Sequence, residues 1–278
     1  MEQKEDRFFP GKLILFGEHT VVYGGQAIAL PTPQYGGRWI AGGNQTHQTD
    51  FFAFIDYLRI KKDELKAVLD LDRLQWDIDS GWIFESNIPG GAGLGSSGAF
   101  TAAIYHTYGS NYPQEIVELK ADLALIESYF HGQSSGLDPL ISYINEGILL
   151  QGDQIKLLDN QADLMDHFTL INTQMPRDGK FMIQQYATHW AQAAFRQQIE
   201  TNYLPMVDAC INAYLADDAV AMNTAMFDLS YFQLVHLNFL IPSVYIRNWE
   251  ERLMFTSGYF KICGAGGGGF LLRYDLPD

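Results

Sequence analysis

Asn87-Ile-Pro-Gly-Gly-Ala-Gly-Leu-Gly-Ser-Ser-Gly98 is the stretch on which the reading of this chain turns. It follows Gln75–Ser86, where apolar and polar residues alternate as in a strand. It precedes Ser96–Tyr108, a small apolar run that predicts a helix packed closely on a sheet. Glycine lets the backbone approach a polyphosphate and aim successive N–H groups at it. A helix N-terminus behind such a loop adds unpaired donors and partial positive charge. Pro89, Gly90, Gly91, Ala92, Gly93, Leu94, Gly95, Ser96, Ser97 and Gly98 are therefore candidate anion-binding residues. Ser96 and Ser97 can cap the helix, bind phosphate, or offer a hydroxyl to a divalent cation. A flexible turn with an N-cap is the plain alternative, but a turn needs far fewer glycines. No lysine follows the last glycine, so the loop is not a Walker A motif.

Two further segments carry glycines. Pro10-Gly-Lys-Leu-Ile-Leu-Phe-Gly-Glu-His-Thr-Val-Val-Tyr-Gly24 places Lys12 at the start of an apolar strand and Glu18-His19 just after the turn at Gly17. Taken alone, a lysine on such a strand belongs at a solvated edge. Cys263-Gly-Ala-Gly-Gly-Gly-Gly269 is richer in glycine than a hairpin turn requires. Something must approach that backbone closely.

Composition narrows the classes. The 278 residues suit one large domain or two modest ones, and a formal net charge of −15 disfavours nucleic acid and anionic membranes as partners. A small anion would need local cations, oriented N–H groups or a metal. Cys210 and Cys263 are far apart and neither belongs to a CxxC, so no redox or metal framework is expected. Met1–Lys12 is too charged for a signal peptide, and no apolar run approaches the roughly 20 residues that span a bilayer. A cytoplasmic location is the expectation.

Along the chain, Arg7–Phe16 reads as a strand and Gln26–Leu30 as a short apolar run. Asp50–Ile60 is rich in aromatic and β-branched residues and reads as strand. Ile116, Leu119, Leu123, Ile126 and Phe130 recur at helical spacing within Tyr112–Phe130. His131–Asp138 is a Gly/Ser loop, and Ile148–Leu157 a hairpin turning at Gly152-Asp153. The polar stretch Asp159–Asp166 is the best candidate boundary. Beyond it come a strand at His167–Thr173 and helices over Arg196–Leu215 and Ala219–Phe239, the first bent or interrupted at Pro205. Phe260–Tyr274 closes as strand, glycine loop, strand. Strands and helices mix without regular βαβ alternation, which points to α+β.

In order and spacing the three glycine motifs resemble those of the GHMP kinases, which include galactokinases, homoserine kinases, mevalonate kinases and phosphomevalonate kinases. Lys12–Gly24 is similar to the first motif of the mevalonate kinase branch, and His131-Gly-Gln-Ser-Ser-Gly-Leu-Asp138 resembles its aspartate loop. Asn172-Thr-Gln-Met-Pro-Arg177 resembles a strand and turn that bring an arginine to the substrate side. The chain departs from that branch in several places. Gly98 stands where alanine is usual, Ser134 replaces a proline, Pro139 follows Asp138 where asparagine is common, and Gly179 falls where a threonine lies near the substrate. Cys263 and Phe270 flank the last motif in place of threonine and cysteine.

The resemblance implies a two-lobed α+β fold, with a ribosomal S5 domain 2-like lobe over residues 1–161, a ferredoxin-like lobe over residues 162–278, and ATP in the cleft between them. It implies ATP phosphates on Pro89–Gly98, Mg²⁺ held by Ser97 and Glu127, and Asp138 as the base for the acceptor hydroxyl. Lys12 would pair with Asp138 and stabilise the alkoxide. Glu18, His19, Arg177, Gly266 and Gly267 would face the substrate, a small molecule. A second copy of the chain, in a homodimer, is a candidate partner. Plain alternatives remain: Glu127 as a solvated helix-face residue, Asp138 as a cap, His131 orienting its loop through a hydrogen bond, and Arg177 as a surface arginine. Mevalonate is the expected acceptor. Phosphomevalonate, a sugar or homoserine are its rivals, and a catalytically silent ligand-binding protein is the rival of another class.

Overall fold

Phe9–Phe16 forms strand β1 in the computed structural model of the chain, buried along almost its whole length as its apolar run requires. Residues 6–42, 51–158 and 163–276 are described. Gln26–Leu30 opens a longer strand than its apolar run indicates: β2 spans Gln26–Ala41. The chain forms two compact units, neither contiguous in sequence. One comprises Met1–Leu13, Leu30–Pro89 and Leu94–Glu146; the other comprises Ile14–Ala29, Gly90–Gly93 and Gly147–Asp278. Strands β1 and β2 thus contribute residues to both. The boundary expected at Gln161–Ala162 lies outside the described residues.

The first unit corrects the aromatic strand expected at Asp50–Ile60. Phe51–Lys61 is a helix, α1, while Asp50 lies outside the described residues. Phe51, Phe54, Ile55 and Leu58 are buried at spacings of three and four, so helical periodicity outweighs the strand preference of aromatic residues. Phe54 packs on Phe100 with ring centroids 5.5 Å apart. Two residues, Val68–Leu69 (β3), precede helix α2 (Leu71–Asp79), whose N-cap Asp70 accepts from Arg73 N–H. Strand β4 (Trp82–Ser86) pairs antiparallel with Gly37–Ala41 of β2. The stretch read as alternating from Gln75 is therefore the end of one helix and then a strand. Helix α3 (Ser96–Tyr108) is the predicted close-packed helix, with Ala99, Ala102, Ala103, Ile104 and Tyr105 all buried. Gly109–Ser110 (β5) pairs with β3. Helix α4 (Ile116–His131) and the short α5 (Leu137–Ile144) complete the unit.

In the second unit β6 (Ile148–Gln151) and β7 (Gln154–Leu157) form the predicted hairpin, and β6 pairs with Gln26–Ala29 of β2. A separate antiparallel sheet has the order β8, β10, β9, formed by Phe168–Asn172 (β8), Tyr259–Ile262 (β9) and Phe270–Tyr274 (β10). The helices are α6 (Gly179–Trp190), α7 (Ala193–Gln198), α8 (Leu204–Leu215), α9 (Ala219–His236) and α10 (Ser243–Phe255). The helix expected over Arg196–Leu215 is interrupted beside Pro205: a π turn at Ile199–Tyr203 stands between α7 and α8, and Pro205 falls in the first turn of α8. The whole is of the α+β class expected. No helix among the described residues is long and apolar enough to cross a membrane.

Candidate active site

The glycine loop does join a strand to a helix N-terminus: β4 ends at Ser86 and α3 begins at Ser96, with Gly95 as N-cap at φ 72°. Lys12 N–H donates to Leu94 O at 2.8 Å, which ties β1 to the loop. A side chain at Gly95 would come within 3.2 Å of Asp138 Oδ2. One at Gly98 would come within 2.8 Å of the Asp138 backbone and 2.9 Å of Pro139 N. Absence of a side chain at these two positions is what lets α5 bring Asp138 to the start of α3. Two departures noted in the sequence, Gly98 and Pro139, are therefore one contact. Lys12 Nζ lies 2.8 Å from Asp138 Oδ1, with side-chain exposures of 11% and 29%. The predicted base and its lysine do meet, and the carboxylate keeps an open side.

Glu127 is buried rather than solvated. Ser97 Oγ donates to its Oε1 at 2.9 Å and Ser134 Oγ donates to its Oε2. Burial raises the Glu127 pKa, and the nearby Asp138 charge adds to the rise; the two serine hydroxyls and the charge of His131 act against it. His131 Nε2 is 2.9 Å from Ser97 Oγ. Since the Ser97 proton goes to Glu127, the histidine acts as the donor to Ser97, which assigns its proton to Nε2. His131 therefore orients Ser97 rather than only its own loop. Ser134 also accepts from Gly136 N–H and donates its own N–H to Ser128 Oγ, a bond a proline could not make. Nothing in the sequence marked Ser134 as more than a departure.

Ser97 Oγ and Glu127 Oε1 are 2.9 Å apart, and adjacent ligands of octahedral Mg²⁺ lie about 3 Å apart. The pair therefore fits two neighbouring positions around that ion. No cluster of three or more His, Cys, Asp or Glu with metal-holding geometry occurs among the described residues. An ion here would complete its shell with phosphate oxygens and water, as Mg²⁺ commonly does.

In the second unit, Arg177 stands against two of the three glycine segments. A side chain at Gly93 would fall 2.0 Å from its Nη2, and one at Gly264 would fall 2.9 Å from its Nη1. Gly269 lies against Ala92 O, so the C-terminal loop and Gly90–Gly93 come together around this arginine. Burial pulls the guanidinium pKa down, although arginine remains a cation. Gly266 and Gly267 lie elsewhere. Gly267 N–H donates to Leu240 O at 2.7 Å, and Gly266 packs against the same residue.

His19 and the side chain of Glu18 are buried, and the structure adds a partner that the sequence motifs do not include. Lys261, only 1% exposed in an otherwise apolar strand, lies 2.5 Å from Glu18 Oε1 and also donates to Ile262 O. Its signal was the same as that of Lys12, a lysine in an apolar strand beside a glycine loop.

A family model described as the GHMP kinases N terminal domain matches residues 63–146. A curated mevalonate kinase from Thermococcus sibiricus is 30% identical over 167 residues, covering 49% of this chain and 48% of that protein. The chain aligns over about half the length of the curated relatives it matches. Mevalonate kinase of L. major, solved in complex with R-mevalonate, superposes with a TM-score of 0.64 at 17% identity, covering 99% of this chain and 88% of that one. Phosphomevalonate kinase of Streptococcus pneumoniae, solved with phosphomevalonate and AMPPNP, superposes at 0.67 and 14% identity, covering 99% and 93%. Over residues 63–146 the chain is thus similar to the N-terminal domain of the GHMP kinases, and the curated relatives it matches are mevalonate kinases.

Proposed function

We propose that this protein transfers a phosphoryl group from ATP to a hydroxyl of a small metabolite, and that the acceptor is mevalonate. The observation that carries the reading is the Lys12–Asp138 pair, 2.8 Å apart beside Gly95 at the N-terminus of α3. Phosphoryl transfer asks for positioning and charge neutralisation more than covalent chemistry. Asp138 accepts the proton of the attacking hydroxyl, and the Lys12 ammonium stabilises the alkoxide as it forms. The loop N–H groups and the α3 terminus take the phosphates. Ser97 and Glu127 would hold Mg²⁺, and the ion would supply charge neutralisation. Arg177, against Gly93 and Gly264, brings a planar cation suited to a carboxylate or phosphate.

The acceptor rests on the names of the curated relatives and on Arg177 as a cation for an acid. Against it stands Gly179, which brings no hydroxyl at the first residue of α6. Phosphomevalonate is favoured by one observation of its own, a solved phosphomevalonate kinase of equal structural likeness. A coupled ADP-release screen over mevalonate, phosphomevalonate, galactose and homoserine decides among them. Release stimulated by mevalonate above the others is expected. Activity on another acceptor alone overturns the substrate. No acceptor-dependent release at all would leave a silent ligand-binding protein.

A further inference from the structure

Two neighbouring side chains of the second unit are buried with polar atoms that nothing satisfies. His19 is 6% exposed and neither ring nitrogen has a hydrogen-bond partner; Glu18 Oε1 is 3.9 Å from Nδ1. Tyr186, on α6, is 5% exposed and its hydroxyl is equally unpartnered. The two rings stack, with centroids 5.2 Å apart and planes 25° apart, so these atoms form a cluster rather than scattered defects. Buried polar groups are almost always hydrogen-bonded, and leaving one without a partner is costly. A ligand that supplies the missing partners is the economical explanation.

The surroundings define its chemistry. Lys261 and Glu18 neutralise one another, so no net charge is left to attract an anion. Burial and the Lys261 charge lower the His19 pKa to about 3, and burial raises that of the Tyr186 phenol. Both groups are therefore neutral, and each offers one donor and at least one acceptor. That set matches an uncharged hydroxyl. A carboxylate or phosphate would call for a cation. Helix α6 begins at Gly179, which brings no side chain. Tyr186, seven residues and about two turns on, lies on the same face and does. Tyr23 and Trp190 stack 3.7 Å apart beside Tyr186, and Tyr23 is 38% exposed.

We propose that His19 and Tyr186 form a hydroxyl-recognition subsite, which makes Tyr186 a specificity-determining residue for acceptors bearing a second, uncharged hydroxyl beside the one phosphorylated. This rests on the phosphotransfer reading above and deepens it. Tyr186→Phe removes one oxygen and keeps the ring stack. The expected result is a KM for mevalonate raised about fivefold to tenfold, the loss of one neutral hydrogen bond, with the KM for ATP unchanged. The melting temperature without acceptor should not fall, because the free protein gives that hydroxyl no partner. An unchanged KM for mevalonate together with a lowered melting temperature would overturn the proposal and make Tyr186 a structural, water-bonded residue. An unchanged KM with an unchanged melting temperature overturns it as well. If the wild type turns over no acceptor in the screen, the phosphotransfer reading fails separately. The subsite is then judged by thermal shift with mevalonate alone: a shift lost in the variant sustains it, and equal shifts, zero included, overturn it.

Discussion

Lys12–Asp138 and Lys261–Glu18 are the same two chemical groups in two settings. Each lysine comes from an apolar strand next to a glycine loop, and each ammonium lies within hydrogen-bond distance of a carboxylate. The side chain of Asp138 is 29% exposed, whereas those of Glu18 and Lys261 are 2% and 1% exposed. An open carboxylate can exchange its lysine for a reacting hydroxyl with little penalty. A sealed pair has been desolvated on both sides and is held by mutual attraction and the extra bond from Lys261 to Ile262 O. A lysine in an apolar strand is therefore no mark of chemistry by itself. The exposure of its partner separates the reacting pair from the one that holds Glu18 beside His19.

The largest test of that contrast is Asp138→Asn. The amide keeps the shape but cannot take a proton, so kcat should fall by about 10²–10⁴ while ATP affinity is nearly intact. Turnover within a few-fold of wild type would remove Asp138 as the base. Next, Lys261→Met leaves Glu18 charged and buried without its counter-ion, and should cost about 3–5 kcal/mol in denaturant unfolding. Glu18→Gln in the same chain should restore most of it. Lys12→Met should instead lose turnover with a much smaller stability change, because solvent can reach Asp138. Equal stability losses for the two lysine variants would erase the distinction. A smaller effect is expected at the cation. Ser97→Ala and Glu127→Gln should each raise the Mg²⁺ needed for half-maximal turnover by about tenfold; unchanged dependence in Glu127→Gln would leave that residue a purely structural carboxylate.

The gentlest test is pH. Folded His19 stays neutral down to about 3, whereas the unfolded residue binds its proton near 6.5. Between those values the unfolded chain binds the extra proton, so stability falls as pH drops through this window, by about 1.4 kcal/mol per pH unit from this group. Urea midpoints of wild type and His19→Gln across pH 4 to 7 should diverge accordingly; parallel curves would mean that His19 takes up its proton in the folded chain as readily as in the unfolded one.

The segments legible in the sequence are those whose pattern is local: β1, the hairpin at Gly152-Asp153, α3, most of α4, β8, α9 and the closing strands β9 and β10. The meeting of Lys12 with Asp138 was not written in any spacing. Likeness to a family implies it, and the structure shows its physical condition, the missing side chains at Gly95 and Gly98. Helix α1 was misread because Phe51-Phe-Ala-Phe-Ile55 has the composition of a strand over a window too short for periodicity to assert itself. Helices α6 and α10 were not anticipated, since each buries few residues and offers a weak apolar stripe. Ser134, Lys261 and Tyr186 were passed over for another reason. What distinguishes them is the atom each one faces, and no one-dimensional pattern records that.

The two ends of β2 find their partners at very different times in the life of the chain. Gly37–Ala41 pairs with β4, which is synthesised soon afterwards, but Gln26–Ala29 must wait for Ile148–Gln151. On a ribosome the first part of this strand therefore leaves one edge unpaired until more than half the protein has been made, and a bare edge invites pairing with other chains. Gly90–Gly93 belongs with the late-made unit, so a fragment ending before β6 would carry the phosphate loop without Arg177 and Gly269, which pack against that stretch. Cutting the gene just before Ile148 should yield an aggregating fragment rather than a smaller nucleotide-binding domain.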